Sequence, residues 1–171
     1  SSDNTANVVQ NGTTAISEIT QGGSDGNVSV TQGGSGANSK ITQGGSLGIV
    51  SVTQDGSGAT SEITQESLSG KGSNGKVTVT QTGPNKSIVE QRATTGGSVS
   101  ATVKQTGSYN DSTIYHGLAD NDNLITNGQV TVTQGGINQI SEVTQWRNNG
   151  STVTVDQINS GNESYVEQED G

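Results

Sequence analysis

Residues 17–43 read SEITQGGSDGNVSVTQGGSGANSKITQ. Gln21, Gln32 and Gln43 recur there every eleven residues, each behind a threonine, and Gln54 and Gln65 keep the same step. Between the glutamines, small or β-branched residues alternate with polar ones, as in NVSVTQ at 27–32. That period-two pattern is the signature of a β-strand.

The frame extends in both directions. Strand-ending glutamines fall at Gln10, Gln21, Gln32, Gln43, Gln54, Gln65, Gln81, Gln91, Gln105, Gln134, Gln145, Gln157 and Gln168, and His116 fills a further slot as a variant. The residues sharing a face with each glutamine sort the strands into two kinds. One kind carries two valines before the glutamine: Val28 and Val30, Val50 and Val52, Val77 and Val79, Val130 and Val132, Val153 and Val155. The other carries serine and then Ile or Val: Ser17 and Ile19, Ser39 and Ile41, Ser61 and Ile63, Ser87 and Val89, Ser141 and Val143, Ser164 and Val166. The unit is therefore a strand pair of about 22 residues, present seven times at approximately 4–21, 26–43, 48–65, 75–91, 99–116, 128–145 and 151–168.

Spacing adds a second pattern. Within a pair the step is eleven, or ten from Gln81 to Gln91, whereas between pairs it reaches sixteen from Gln65 to Gln81 and eighteen from His116 to Gln134. The surplus collects at one kind of junction, including ESLSGKGSN (66–74) and GLADNDNLITN (117–127), which read as loops. One edge is expected to be uniform and the other decorated.

Composition alone points the other way. With 25% hydrophobic residues, 26 glycines and no cysteine in 171 residues, a chain of this kind has little apolar surface to offset the entropy of ordering. A fixed period outweighs composition. A two-strand loop cannot bury its inner face alone, but loops stacked in register pair each strand with its equivalent about 4.8 Å away. Each inward amide can then donate to one neighbour and accept from the other. The expected fold is all-β: a cross-β-like β-solenoid of seven two-strand rungs in two stacked parallel sheets, of either hand. Its apolar core is expected to be Val28, Val30, Ile41, Val50, Val52, Ile63, Val77, Val79, Val130, Val132, Val153 and Val155.

These residues resemble the curlin repeat of curli major subunits, whose rungs follow S-x5-Q-x-G-x-x-N-x5-Q. Gln105, Gly107, Asn110, Ser112 and Ile114 follow that spacing, as do Ser151, Gln157, Asn162, Ser164, Val166 and Gln168, and Asn4 lies six residues before Gln10. The resemblance runs from Asn4 to Gln168, with Ala15, Ala37 and Ala59 in place of the inner Asn and Gly26, Gly48, Gly75 and Gly128 in place of the inner Ser. It implies a secreted subunit of extracellular amyloid fibres in a biofilm matrix, served by a nucleator, a secretion channel and chaperones.

The rungs themselves lead to a related expectation. Regular first and last rungs would expose unpaired strand edges at Asn4, Val8, Gln10, Ile19 and Gln21 and at Val153, Val155, Gln157, Val166 and Gln168. Two complementary ends on one molecule make an open, head-to-tail contact, so self-association into a filament is expected. The net charge of −9 would oppose premature association, with growth faster in acid or at raised salt, and it argues against nucleic acid or an anionic membrane as partner. No run of eighteen apolar residues occurs, so no membrane insertion is expected. The N-terminal SSDNTANVVQ has no signal-peptide pattern.

Two alternatives use the outer surface. Thr20, Thr31, Thr42, Thr53, Thr64, Thr80, Thr133 and Thr144 would project outward in ranks, as an ice-binding solenoid requires, with interruptions at Val9, Glu90, Lys104, Tyr115, Asp156 and Glu167. Trp146, Tyr109 and Tyr115 could offer stacking surface to a carbohydrate. The segment GGSDGN suggests a calcium repeat, but Asp25 and Asp55 are isolated, and DNDN at 120–123 reads as a solvated acidic loop. One histidine and no cysteine assemble no nucleophile, base and orienter, so no enzyme and no cofactor are expected.

Overall fold

The computed structural model describes residues 3–66, 75–92, 99–117, 127–146 and 150–169. Most of both long arcs, with Asp120 to Asn123, lies outside the described residues. Alternation decides the local structure: in each segment the terminal glutamine, or His116, shares one face with the residues two and four before it, which are Ala, Val, Ile or Ser, while mostly Ser, Thr and charged residues occupy the other. The strands are β1 (Thr5–Gln10), β2 (Ile16–Gln21), β3 (Asn27–Gln32), β4 (Asn38–Gln43), β5 (Ile49–Gln54), β6 (Thr60–Glu66) and β7 (Lys76–Thr82). They continue with β8 (Lys86–Arg92), β9 (Ser100–Ser108), β10 (Asp111–His116), β11 (Gln129–Ile137), β12 (Ile140–Trp146), β13 (Thr152–Ser160) and β14 (Glu163–Glu169).

Odd-numbered strands form one seven-stranded parallel sheet in chain order and even-numbered strands form the other, so the chain winds as a β-solenoid. Register is strict across repeats of unequal length: Gln54 pairs with Gln81 across the 66–74 arc, and His116 pairs with Gln145 across the 117–127 arc. Insertions are thus accommodated at the arcs without disturbing the pairing within the sheets.

Between the sheets lies a thin core. All twelve of the expected apolar residues are buried there, together with Val89, Ala101, Val103, Ile114 and Val143. Ile19 and Val166, in the terminal rungs, pack against it while partly exposed. Ser39, Ser61, Ser87, Ser112 and Ser141 complete the even face. The hydroxyls of Ser87, Ser112 and Ser141 have no hydrogen-bond partner, so what these positions contribute is small volume.

Candidate functional site

Two columns of amides run the length of the stack. In the odd sheet, Nε2 of Gln10 donates to Oε1 of Gln32 at 2.8 Å, and the same bond repeats from Gln32 to Gln54, Gln81, Gln105, Gln134 and Gln157 at 2.8–2.9 Å. The second Nε2 hydrogen donates to the first backbone carbonyl of the even strand one rung earlier. Gln32, Gln54, Gln81, Gln105, Gln134 and Gln157 reach Ile16, Asn38, Thr60, Lys86, Asp111 and Ile140 in this way, at 2.9–3.1 Å. Each amide therefore ties rung to rung and sheet to sheet. Every amide-to-amide bond in the column runs from Nε2 to the Oε1 of the next rung toward the C-terminal end, which gives the stack a polarity.

The even column runs the same way from Gln21 to Gln43, Gln65 and Gln91, at 2.9 Å per step. Gln91 Nε2 then meets His116 Nδ1 at 3.3 Å. An amide nitrogen only donates, so Nδ1 accepts and the imidazole proton sits on Nε2. A neutral ring in that tautomer offers one acceptor and one donor on opposite sides, as the glutamine does. The step above is imperfect: His116 Nε2 and Gln145 Oε1 are buried without a hydrogen bond of ordinary geometry, although Gln145 lies close enough to favour the protonated ring. Burial dominates and pushes the His116 pKa down to about 4. The ladder resumes from Gln145 Nε2 to Gln168 Oε1 at 2.6 Å.

The glycines that replace the inner serine have their explanation here. A Cβ at Gly26, Gly48 or Gly75 would stand 2.7–2.8 Å from the Oε1 of Gln43, Gln65 or Gln91, so glycine makes room for the even ladder. Val99 holds the corresponding position in the rung of His116, where the column changes residue and loosens.

A further column lies on the odd-to-even arcs. Gly12, Gly34, Gly56, Gly83, Gly107 and Gly136 each lie against the backbone of the following rung, and a Cβ on any of them would overlap it. In later rungs Asn85, Asn110 and Gln139 brace these arcs. Asn85 Nδ2 donates to the Gly107 carbonyl and Asn110 Nδ2 to that of Gly136, both at 3.2 Å, while the Asn110 and Gln139 amides donate back to Asn85 and Asn110 Oδ1 at 3.1 Å. The first rungs hold Ala15, Ala37 and Ala59 in place of this brace. Only the Q-x-G-x-x-N spacing hinted at these roles.

The terminal rungs expose their outer faces. Every residue of β1 is exposed, with Val8 at 42%, and Asn4 bonds the Gly23 carbonyl and the Gly26 amide. At the other end Val153, Val155 and Gln157 stay within 5–6% exposure, and an open hollow of about 570 Å³ is lined by Val155, Gln157, Ser164 and Val166 among others. Inward residues of the last rung (Val153, Val155, Gln157, Ser164, Val166, Gln168) match those of the first (Ala6, Val8, Gln10, Ser17, Ile19, Gln21) in size and chemistry.

The two outer faces differ in charge. Even strands carry nine acidic and three basic residues, whereas odd strands carry Lys76, Lys104 and Asp156. The outward threonines divide between faces: Thr20, Thr42, Thr64 and Thr144 lie on the even sheet and Thr31, Thr53, Thr80 and Thr133 on the odd. The expected aromatic surface does not assemble, because Tyr109 sits on an odd-to-even arc while Trp146 ends β12 at the opposite edge; Tyr165 joins Tyr115 and Trp146 on the even face instead. Asp25 and Asp55 lie on arcs at opposite edges. No family model, curated protein or solved structure matches this chain.

Proposed function

We propose that this chain is a structural subunit that adds end to end, strand on strand, into an extracellular fibre of the curlin kind. One observation carries the reading: the outer faces of the β1–β2 and β13–β14 rungs present complementary halves of the same ladders. The column runs Nε2 to Oε1 toward the C-terminal rung, so a second copy placed there would offer Gln10 Oε1 to Gln157 Nε2 and continue the polarity. Contact through two different ends does not close, and it grows a filament by strand augmentation. Secretion, and service by a nucleator, a channel and chaperones, are part of the same proposal through the family resemblance.

Acidic residues set the conditions for growth. Glu163 and Glu167 of the last rung would approach Glu18 of the next copy in the register that continues the ladder. At pH 8, raising ionic strength from about 10 mM to about 150 mM shortens the screening length from about 30 Å to about 8 Å. Thioflavin-T kinetics with negative-stain imaging are expected to show faster fibre growth at the higher salt. Salt-independent growth would contradict the role of charge, and monodisperse particles that persist at high concentration would contradict the fibre. Acid is the less selective variable, because it also titrates His116.

A specific feature of the odd face supports a second reading. Ser29, Ser51, Thr78, Thr102, Thr131 and Thr154 form an unbroken hydroxyl column, flanked by Thr31, Thr53, Thr80 and Thr133. Hydroxyls and methyls fixed about 4.8 Å apart along the stack and about 6.6 Å across it form a flat lattice that can order water, as ice binding needs. Thermal hysteresis that disappears in Thr78→Lys and Thr131→Lys is the expected result on this reading. Freezing behaviour equal to that of an inert protein would remove it.

A further inference from the structure

Six rungs carry glycine at the second residue after the odd-column glutamine, and the seventh carries Asn159. The register places Asn159 over Gly136 and Gly136 over Gly107, so the three are equivalent. At Gly83, Gly107 and Gly136 a Cβ would stand only 1.6–2.0 Å from the carbonyl oxygen of the equivalent residue in the following rung. Asn159 has such a Cβ, at a φ of 79° that asparagine tolerates. In the described structure nothing lies above it to be struck.

Placing a further rung on β13 in the register that continues both ladders changes this. Gln10 of the incoming copy meets Gln157 and Gln21 meets Gln168, but the Gly12 carbonyl arrives where the Asn159 Cβ already is. We propose that Asn159 makes the junction between copies a built-in discontinuity: the strands and amide columns continue across it while the 158–162 arc must open to admit the next copy. The contact between copies is consequently weaker than the rung contacts inside one chain, and adding a copy is limited by rearrangement of that arc. A fibre assembled this way breaks and exchanges between subunits, leaving each solenoid whole. This inference rests on the proposed end-to-end assembly, and the experiment separates the two.

Seeded elongation is measured for wild type, Asn159→Gly and Asn159→Ala on wild-type seeds, with thermal melts of each monomer as folding controls. Relief of overpacking of this kind is expected to speed elongation about tenfold in the glycine variant. The alanine variant keeps the Cβ and is expected to show no gain, which separates steric relief from loss of the asparagine amide. Equal elongation of Asn159→Gly and wild type overturns the inference and leaves the fibre reading intact. Should wild type form no fibres, assembly by Asn159→Gly alone supports a complete block at this residue. Failure of both to assemble overturns the inference together with the fibre reading.

Discussion

Gly107→Ala is expected to lower stability by about 3 to 5 kcal/mol, whereas Gly36→Ala costs about 1 to 2 kcal/mol. Both glycines have positive φ, 98° and 68°, so the penalty for a left-handed alanine is shared. What differs is the space. An added Cβ at Gly107 overlaps the carbonyl of Gly136, while one at Gly36 meets nothing within 4 Å. Neither neighbour can retreat at Gly107, because the arc is braced on both sides: Asn85 Nδ2 holds the Gly107 carbonyl and Asn110 Nδ2 holds that of Gly136. The strain must spread into β9 and β11, which pair over nine residues. Urea unfolding of the two variants checks this; equal losses would show that backbone conformation alone, and not close stacking of the arcs, selects glycine in this column.

Acid is expected to weaken the fold through His116 by about 3 kcal/mol, the linkage equivalent of a pKa depressed from 6.5 to about 4. The sign follows from which state binds the proton. Above pH 6.5 the ring is neutral in both folded and unfolded chains, so the contribution is fully present there. As pH falls from 6.5 toward 4 the unfolded chain gains a proton that the folded chain resists, and stability is lost across that window. Protonation also places Nδ1–H against the Gln91 amide, donor facing donor, in the middle of a buried column. His116→Gln restores the residue type used at every other step and removes this titration. The difference in unfolding free energy between wild type and His116→Gln is therefore expected to narrow or reverse in favour of wild type at about pH 8 and to widen in favour of the variant at about pH 4. A difference independent of pH would contradict the buried, neutral imidazole.

Most of the fold is legible because the glutamine period and the two-residue alternation agree, and a parallel stack makes them one signal. Val28 and Ile41 are identifiable as core from the faces they share with Gln32 and Gln43, without any knowledge of the partner strand. The arcs are less legible. Gly26, Gly48 and Gly75 read as departures from a serine, and only the side-chain positions of Gln43, Gln65 and Gln91 show that they make room for the ladder. Asn159 reads in sequence as part of a regular last rung, since its cost exists only against a rung above it. The outward residues are the least legible: sequence spacing gives which residues point out, but not which of two faces they join. The threonine ranks and the aromatic surface each combine residues that the fold separates.

Central to the proposed assembly is that each chain is a short solenoid and the fibre is a series of them. Fibre mass per length measured by electron scattering tests this most directly. A 17.3 kDa chain of seven rungs spans about 34 Å at about 4.8 Å per rung, which predicts about 0.5 kDa per Å for a single filament and whole multiples of that for bundles. One extended chain per strand spacing, as in a flat in-register amyloid, gives about 3.6 kDa per Å. A fibre with that mass would contradict end-to-end stacking of solenoids.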